Sequence, residues 1–404
     1  MARFLPYGRQ SVSEKDVEAV AKVLRSDWLT QGPSVEEFEK GICQVAGAAH
    51  AVVCNSGTAA LHLAAVAAGL TEGLAAIVPA ITFVATANAV RMTGAEVVFA
   101  DVDPQTGRMN AATLEAAFAR SDRGNRKIRA VFPVHLGGEP SSVADVHEVS
   151  AGREALVVED ACHAFGGSYR DGGGSANPVG ACRHSAMACF SFHPVKPVTT
   201  AEGGAVTTND AAFDARMRRV RSHGITREPE LLQNRTEGFG ADGEANPWYY
   251  EMLELGWNYR ISDIQCALGL SQLVRLTDFR THRDGLARRY RQLLAPFAPS
   301  VVAMPTAAGT ESGHHLFVVL IDFAALGLTR AHVMQELQRR GVGSQVHYIP
   351  VPWQPYYTDR YGKGDYPGAA SYYSKCLSLP LFATMDEADV GTVVETLASV
   401  LKLA

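Results

Sequence analysis

Short apolar runs alternate with helix-like segments from residue 50 onwards, and this alternation constrains the fold more than any other feature. The runs are apolar throughout rather than at every second position, and segments such as 58–70 separate them. Continuous apolar strands are typical of sheets covered on both faces, and helical crossovers join parallel strands. The pattern therefore predicts an α/β domain with a mostly parallel sheet. The predicted strands are 51–54, 75–79, 96–103, 128–134, 155–160, 187–192 and 204–209.

The alternation loosens after about residue 225. A strand at 315–323 is followed by a helical segment at 330–341 and a terminal helix near 386–402. Because 404 residues exceed one ordinary core, two domains are expected. We predict a large α/β domain over 1–261, whose N-terminal segment contributes to the substrate site, and a smaller α+β domain over 262–404. Ser11 and Glu14 form a capping-box pattern that predicts the start of the first helix.

Charge and cysteine content exclude several classes of function. The net charge of −5 argues against a nucleic-acid-binding surface, and the basic run 280–294 has the spacing of an amphipathic helix with a solvated face. The seven cysteines lack CxxC spacing, which indicates reduced thiols, and no metal site is predicted. No apolar run is long enough to cross a bilayer. We expect a cytoplasmic protein that binds neither nucleic acid nor membrane.

Candidate functional residues stand where the predicted strands end, which is where open α/β sheets bind ligands. Ser56, Gly57 and Thr58 open a helix after the first strand. Backbone N–H groups there suit a phosphate, although the same residues also make a good N-cap. Phe83 follows the second strand and either lies against a flat ring or packs in the core.

The strand 155–160 ends in Asp160, with His163 three residues further on. A carboxylate at the end of a buried strand is unfavourable unless a charged or hydrogen-bonding group meets it, and a protonated ring nitrogen would do so. His163 is either a second donor to the same ligand or a hydrogen-bonded core histidine.

Lys196 is held on a stiff, non-helical stretch between Pro194 and Pro197, just after Ser191 and His193. Apolar surroundings lower the pKa of a lysine, and its uncharged amine is then a nucleophile towards carbonyl groups. An amine for an aldehyde, an acid for a pyridine nitrogen, an aromatic ring and a phosphate cup are together what pyridoxal 5′-phosphate requires. The sequence therefore predicts this cofactor.

The chain also resembles a known family in the stretches "VVEDACHAFGGSY", "FSFHPVKPVTTAEGGAVTTND", "RSHGITRE" and "LGWNYRISDIQCALGLSQL". These are similar to the DegT/DnrJ/StrS sugar aminotransferases, which have the aspartate-aminotransferase-like fold (fold type I), and the similarity runs from about Phe4 to Leu401. It implies that Lys196 carries the cofactor covalently, with Asp160 at the pyridinium nitrogen and His163 near the ring. It places Phe83 over the ring face and Gly57, Thr58 and Ser191 at the phosphate.

The same resemblance implies a homodimer with shared active sites, because an asparagine corresponding to Asn258 reaches the phosphate in the other subunit's site. It also implies ping-pong transamination, in which the Lys196 amine shuttles a proton. Arg221 and His223 are only candidate contacts for the donor carboxylate, and a surface role for both remains open. The stretches 169–185 and 235–250 are longer than the family pattern needs, so either could reshape the sugar pocket.

A narrower resemblance is to the C4-aminotransferases of pseudaminic acid biosynthesis, in stretches such as "SDWLTQGPSVEEFEK" and "GSQVHYIPVPWQPYY". It implies L-glutamate as amino donor and a UDP-linked 4-keto-6-deoxy-N-acetylhexosamine as nucleotide-sugar substrate. For His347 and Tyr348, packing between the domains is the alternative. The implied substrate contacts are Tyr7, Asp27, Trp28, Leu29, Thr30, Gln345, Val346, His347 and Tyr348.

Overall fold

The computed structural model describes residues 4–124, 126–171 and 174–403 of the chain. Each of the predicted strands is present, although β3 ends at Ala100 rather than at residue 103, β4 ends at Val131 rather than at residue 134, and β13 covers Phe317–Ile321 rather than 315–323. The strands are β1 His50–Cys54, β2 Leu74–Pro79, β3 Glu96–Ala100, β4 Lys127–Val131, β5 Leu156–Asp160, β6 Ser168–Arg170, β7 Ala176–Pro178, β8 Met187–Ser191, β9 Gly204–Thr208, β10 Ile225–Thr226, β11 Glu251–Met252, β12 Val301–Ala303, β13 Phe317–Ile321 and β14 Cys376–Leu379.

A seven-stranded sheet with the order β1-β9-β8-β5-β4-β2-β3 forms the centre of the molecule. Strand β9 is antiparallel to both of its neighbours, and the other pairs are parallel. The predicted mostly parallel sheet is thereby confirmed. The helices are α1 Glu14–Leu24, α2 Pro33–Ala46, α3 Gly57–Ala67, α4 Val84–Met92, α5 Ala111–Arg123, α6 Val143–Ala151, α7 Ala211–Arg221, α8 Arg235–Gly238, α9 Asp263–Leu273, α10 Leu276–Leu294, α11 Arg330–Arg339, α12 Pro355–Tyr361, α13 Pro367–Lys375 and α14 Glu387–Leu401.

Helices cover both faces of this sheet, which explains why its strands are apolar throughout. In β1, Val53 packs in a cluster with Phe38 of α2, whereas its neighbour Val52 packs in a second cluster with Leu61 and Leu63 of α3. Successive side chains of a strand point to opposite faces, so both must be apolar when both faces are buried.

The first helix starts two residues later than the sequence pattern suggested. Its N-cap is Ser13, and the Asp16 carboxylate accepts the backbone N–H of Ser13 at 2.7 Å. The Ser11 carbonyl instead accepts from Gln272 and Arg275 at the end of α9, and both side chains also bond to the buried Asp16. The chain is therefore still non-helical at Ser11, and the predicted Ser11/Glu14 box is wrong.

The C-terminal part builds a second core around the antiparallel sheet β12-β13-β14. Helices α10, α11 and α14 pack on it, and α10 buries Leu286, Tyr290 and Leu294, as its amphipathic pattern predicts. The domain boundary at residue 262 stays a prediction; α9, which it assigns to the smaller domain, packs against α1 and α2.

The N-terminal segment crosses to this second core. Leu5 is buried there, its N–H donates to the Gly341 carbonyl at 2.8 Å, and the Gly343 N–H returns a bond to its carbonyl at 2.7 Å. The chain then reaches Tyr7 at the junction of the two cores.

In the described part of the chain no helix is sufficiently long and apolar to span a bilayer. All seven cysteines are free thiols.

Candidate active site

A cavity of about 540 Å³ opens at the carboxyl ends of β1, β2, β5 and β8, where segment 345–348 of the second core closes over the sheet. Most of the residues that the sequence singled out line it together. They are Tyr7, Ser56, Gly57, Thr58, Phe83, Asp160, His163, Ser191, His193, Lys196, Gln345, Val346, His347 and Tyr348.

The N-terminus of α3 forms one end of the cavity. Ser56 is its N-cap, with Oγ accepting the Ala59 N–H at 3.1 Å, so the N-cap interpretation is confirmed. A Cβ built on Gly57 would lie 2.7 Å from the Ser191 Cβ and 2.9 Å from its Oγ. The first-turn N–H groups of a helix have no intrahelical partners. Here they border a cavity beside a hydroxyl, which is an arrangement that suits a phosphate.

Asp160 ends β5 and is buried. Its Oδ2 accepts the Thr86 hydroxyl at 2.7 Å and its Oδ1 accepts the Cys162 N–H at 3.2 Å. Among the described residues no lysine or arginine forms an ion pair with this carboxylate. A buried carboxylate without a cation is unfavourable, so its place on the cavity wall favours a ligand that presents a protonated nitrogen.

Lys196 lies on the loop after β8, where its N–H donates to the His193 carbonyl at 2.9 Å in a tight turn. Its Nζ projects into the cavity and lies 3.3 Å from Nε2 of His315. Burial lowers the pKa of the Lys196 amine to about 8. With this pKa, roughly a tenth of the amine is uncharged at pH 7, and the uncharged form is what a lysine nucleophile or base requires.

His163 is a buried, hydrogen-bonded histidine, and it also borders the cavity, where it can meet a ligand. The two roles considered for it, core histidine and ligand contact, are therefore compatible. The Gly137 N–H donates to its Nδ1 at 3.3 Å, which leaves the ring proton on Nε2 to donate to the Tyr348 Oη at 3.1 Å. Burial lowers the pKa of His163 well below its usual range. The ring is therefore neutral at physiological pH.

The remaining aromatic wall combines Phe83, His347 and Tyr348. Phe83 is 55% exposed with its ring centroid 5.9 Å from that of Tyr348, so it is not a core residue. His347 is buried, with Nδ1 2.7 Å from the Ser378 Oγ, and burial lowers its pKa to about 3. These three rings, which are tilted relative to one another, make one side of the cavity aromatic.

Five predicted site residues do not line this cavity: Asp27, Trp28, Leu29, Thr30 and Asn258. All are exposed on the surface of the described chain. The Leu29 carbonyl accepts the Asp263 N–H at 3.0 Å, and the Asn258 carbonyl accepts from the Asn55 Nδ2 at 3.3 Å. A single chain therefore does not bring them to its own cavity.

Other candidates are also placed elsewhere. Arg221 pairs with Glu39 at 2.9 Å and bonds to the Val53 carbonyl, so it stabilises the interior of the large core. The 235–250 stretch and the described part of 169–185 do not line the cavity. Gly172 and Gly173 of that second stretch lie outside the described residues.

Several side chains near the cavity are not among the residues that the sequence predicts, and three of them are polar groups of interest. His315 contacts Lys196, Thr86 bonds to Asp160, and Glu202 lies on the wall. Thr86 follows Thr82 by one helical turn, and their hydroxyls are 2.8 Å apart, so this spacing after a strand end was an available signal. His315 carried no signal, because only tertiary folding brings β13 beside the lysine loop.

The fold and this site define a fold-type I transferase dependent on pyridoxal phosphate. The residues fit the cofactor: a cup that a Cβ on Gly57 would fill, a buried carboxylate at Asp160 that forms no ion pair with any described residue, and an amine of lowered pKa at Lys196.

The chain belongs to the DegT/DnrJ/EryC1/StrS aminotransferase family, whose model matches residues 10–398. It is thus a sugar aminotransferase, and pyridoxal 5′-phosphate is its cofactor. It is 34% identical over 402 residues to the spore coat polysaccharide biosynthesis protein SpsC of Bacillus subtilis, covering 99% of this chain and 97% of that protein.

Solved structures agree with this assignment. Helicobacter pylori PseC, an aminotransferase involved in the biosynthesis of pseudoaminic acid, superposes with a TM-score of 0.86 at 27% identity, over 99% of this chain and 100% of that one. The putative sugar aminotransferase Spr1654 of Streptococcus pneumoniae, solved in a PLP form, superposes with a TM-score of 0.85 at 26% identity, over 99% of both chains.

Proposed function

We propose that this aminotransferase moves an amino group from L-glutamate to C4 of a UDP-linked 4-keto-6-deoxy-N-acetylhexosamine, as in pseudaminic acid biosynthesis. The observation that carries the transamination chemistry is the Lys196 amine of lowered pKa in the same cavity as the buried Asp160 carboxylate. The similarity to PseC over the whole chain supports the choice of sugar.

In this proposal the cofactor phosphate is held by the α3 N-terminus, with Ser56, Gly57, Thr58 and Ser191. Asp160 keeps the pyridine nitrogen protonated, and Phe83 and His163 border the ring. The bound cofactor supplies an electron-withdrawing ring that stabilises negative charge on the reacting carbon. The Lys196 Nζ removes the proton from the α-carbon of glutamate, and in the second half-reaction it delivers a proton to C4 of the sugar.

The sugar nucleotide would meet Tyr7 and the segment from Gln345 to Tyr348 on the second-core side of the cavity. We propose that the exposed segment from Asp27 to Thr30, together with Asn258, completes the cavity of a second copy in a homodimer. Their exposure in one chain and the large apolar side chains of Trp28 and Leu29, which are 56% and 46% exposed, support this arrangement. The seven free thiols favour a reducing, cytoplasmic location.

The second candidate is an aminotransferase for a different nucleotide-linked 3- or 4-keto sugar. The 34% identity to SpsC, a protein of polysaccharide biosynthesis, favours keeping it. A non-catalytic regulatory member of the family fits less well, because Lys196 and Asp160 are both present and both border the cavity.

The test is to incubate the purified protein with L-glutamate and a panel of UDP-, dTDP- and GDP-linked keto sugars, and to identify products by mass spectrometry and NMR. The proposal predicts a 4-amino product from the UDP-linked 4-keto-6-deoxy-N-acetylhexosamine of the L-altrose series. The Lys196→Ala variant serves as the control and should give no product. Turnover of another sugar alone would establish the second candidate, and no glutamate half-reaction at all would contradict both.

A further inference from the structure

A histidine from the second core faces the lysine of the large core. His315 lies two residues before β13 and is 4% exposed, with its Nε2 3.3 Å from the Lys196 Nζ. We propose that His315 is a positioning residue: its Nε2–H donates a hydrogen bond to the uncharged Lys196 amine and holds it at the cavity wall whenever the lysine is not joined to the cofactor. The inference rests on the role proposed for Lys196.

The main chain fixes the position of the His315 ring. The His315 N–H donates to the Gly137 carbonyl at 3.1 Å, and Gly137, at φ 75°, gives its own N–H to His163. The neighbouring Gly138 has φ 101°, and a Cβ there would lie 2.7 Å from the backbone nitrogen of His314. The two segments can approach this closely only because glycine is present, so the histidine backbone is held rigidly against the sheet.

The hydrogen bonding of His315 indicates which nitrogen carries its proton. Its Nδ1 is buried and has no hydrogen-bond partner in the described part of the chain. Burial and the nearby Lys196 lower the pKa of His315 well below its usual range, so the ring is neutral and has one N–H. A buried N–H without an acceptor is rarer in proteins than an unused lone pair. The proton therefore belongs on Nε2, which faces Lys196.

Groups around Lys196 act in opposite directions on its charge. Burial lowers the pKa of Lys196, whereas the nearby Asp160 carboxylate favours the ammonium form and raises the pKa less strongly. Burial lowers the pKa of His163 and of His347 as well, so neither ring adds positive charge near neutral pH. A donor from His315 stabilises only the uncharged amine, because an ammonium group has no lone pair to accept it.

This contact has a consequence for the reaction. At the start of each half-reaction the lysine must be uncharged and near the reacting carbon, because only an uncharged amine can take up a proton. The long lysine side chain would otherwise sample many rotamers, and ordering it carries an entropic cost. A fixed donor from the opposite core provides one resting position and one favoured protonation state.

The test measures the Lys196 pKa in the full-length protein loaded with pyridoxamine 5′-phosphate, which has no aldehyde and leaves the lysine free. Reductive methylation with formaldehyde and cyanoborohydride is followed between pH 6.5 and 10 by mass spectrometry of the Lys196 peptide. His315→Phe keeps an aromatic ring without a donor, and His315→Gln restores an N–H near the Nε2 position. His314→Asn is the matched control, because His314 pairs with Asp284 at 3.1 Å and does not line the cavity.

The wild type and the Gln and His314→Asn variants should label with an apparent pKa of about 8. The Phe variant should show an upward shift of about one pH unit, the size of one hydrogen bond, and label about fivefold more slowly at pH 8. If the Phe variant does not fold, His315→Met, which cannot donate, is judged by the same criterion. An unchanged or lowered Lys196 pKa in the non-donor variant would overturn the inference. That result is distinguishable from failure of the proposed function, in which pyridoxal phosphate would not attach to Lys196 in the wild type.

Discussion

Replacing Asp160 by asparagine tests the site most sharply, because the change removes a charge and almost no volume. The carboxylate is buried and accepts two hydrogen bonds, from the Thr86 hydroxyl and the Cys162 N–H. An asparagine keeps only one acceptor oxygen, and its amide then donates towards the cavity. A protonated ring nitrogen would lose its charged partner.

The size of the effect follows from the kind of hydrogen bond that is lost. A hydrogen bond to a charged group contributes about 1.5–3 kcal/mol, and a neutral replacement can recover only part of this. We expect the Asp160→Asn variant to bind pyridoxamine 5′-phosphate about 10- to 100-fold more weakly. This ligand cannot bond covalently to Lys196, so its affinity reports non-covalent contacts alone, and calorimetric titration measures it directly.

Glu159→Gln is the matched control. Glu159 precedes Asp160 on the same strand and is also buried, but its carboxylate bonds to His135 and Ser185 away from the cavity. Its replacement should lower stability to urea while leaving pyridoxamine phosphate affinity within about twofold. If Asp160→Asn binds the ligand as tightly as the wild type, or if both variants weaken it equally, the assignment of Asp160 to the ring nitrogen is refuted.

Three further predictions concern Gly57, the cavity residue Tyr348, and His62, a buried histidine of α3 whose Nδ1 lies 3.1 Å from the Tyr259 hydroxyl. Gly57→Ala places a methyl group 2.7 Å from the Ser191 Cβ, so titration should show inorganic phosphate and the cofactor binding at least about tenfold more weakly. Unchanged affinities would mean that this is not the phosphate site. Burial lowers the pKa of His62 to about 4, so as the pH falls below 6.5 the unfolded chain takes up a proton before the folded chain does, and the folded state loses stability. At pH 5 this loss is about 2 kcal/mol. Urea unfolding at pH 7 and pH 5 should show the loss in the wild type and not in His62→Gln. Tyr348→Phe leaves the His163 Nε2–H without its acceptor and should lower the free energy of unfolding by about 1–3 kcal/mol, whereas an unchanged value would contradict the tautomer.

The sheet and most of the cavity could be predicted because their signals are local. A strand buried on both faces is apolar throughout, and the residues that follow it are placed at the sheet edge by topology alone. This is why Ser56, Asp160 and Ser191 were predicted to lie together. The prolines beside Lys196 likewise constrain the backbone without help from the rest of the fold.

The errors and omissions arise where tertiary contacts decide. The first helix starts after Ser13 because Gln272 and Arg275, distant in sequence, bind the Ser11 carbonyl and Asp16. His315 was read only as the start of a strand, since nothing in its neighbourhood reveals which lysine it meets. Residues 27–30 are surface residues in one chain, and their predicted role depends on a second copy.

The most direct test of the central claim is to locate the amine that carries the cofactor. The purified protein is loaded with pyridoxal 5′-phosphate, reduced with borohydride, digested and mapped by mass spectrometry. The account predicts a single pyridoxyl label on Lys196, lost in Lys196→Ala. A label on another lysine, or no label in a protein that has been shown to be folded, would contradict it.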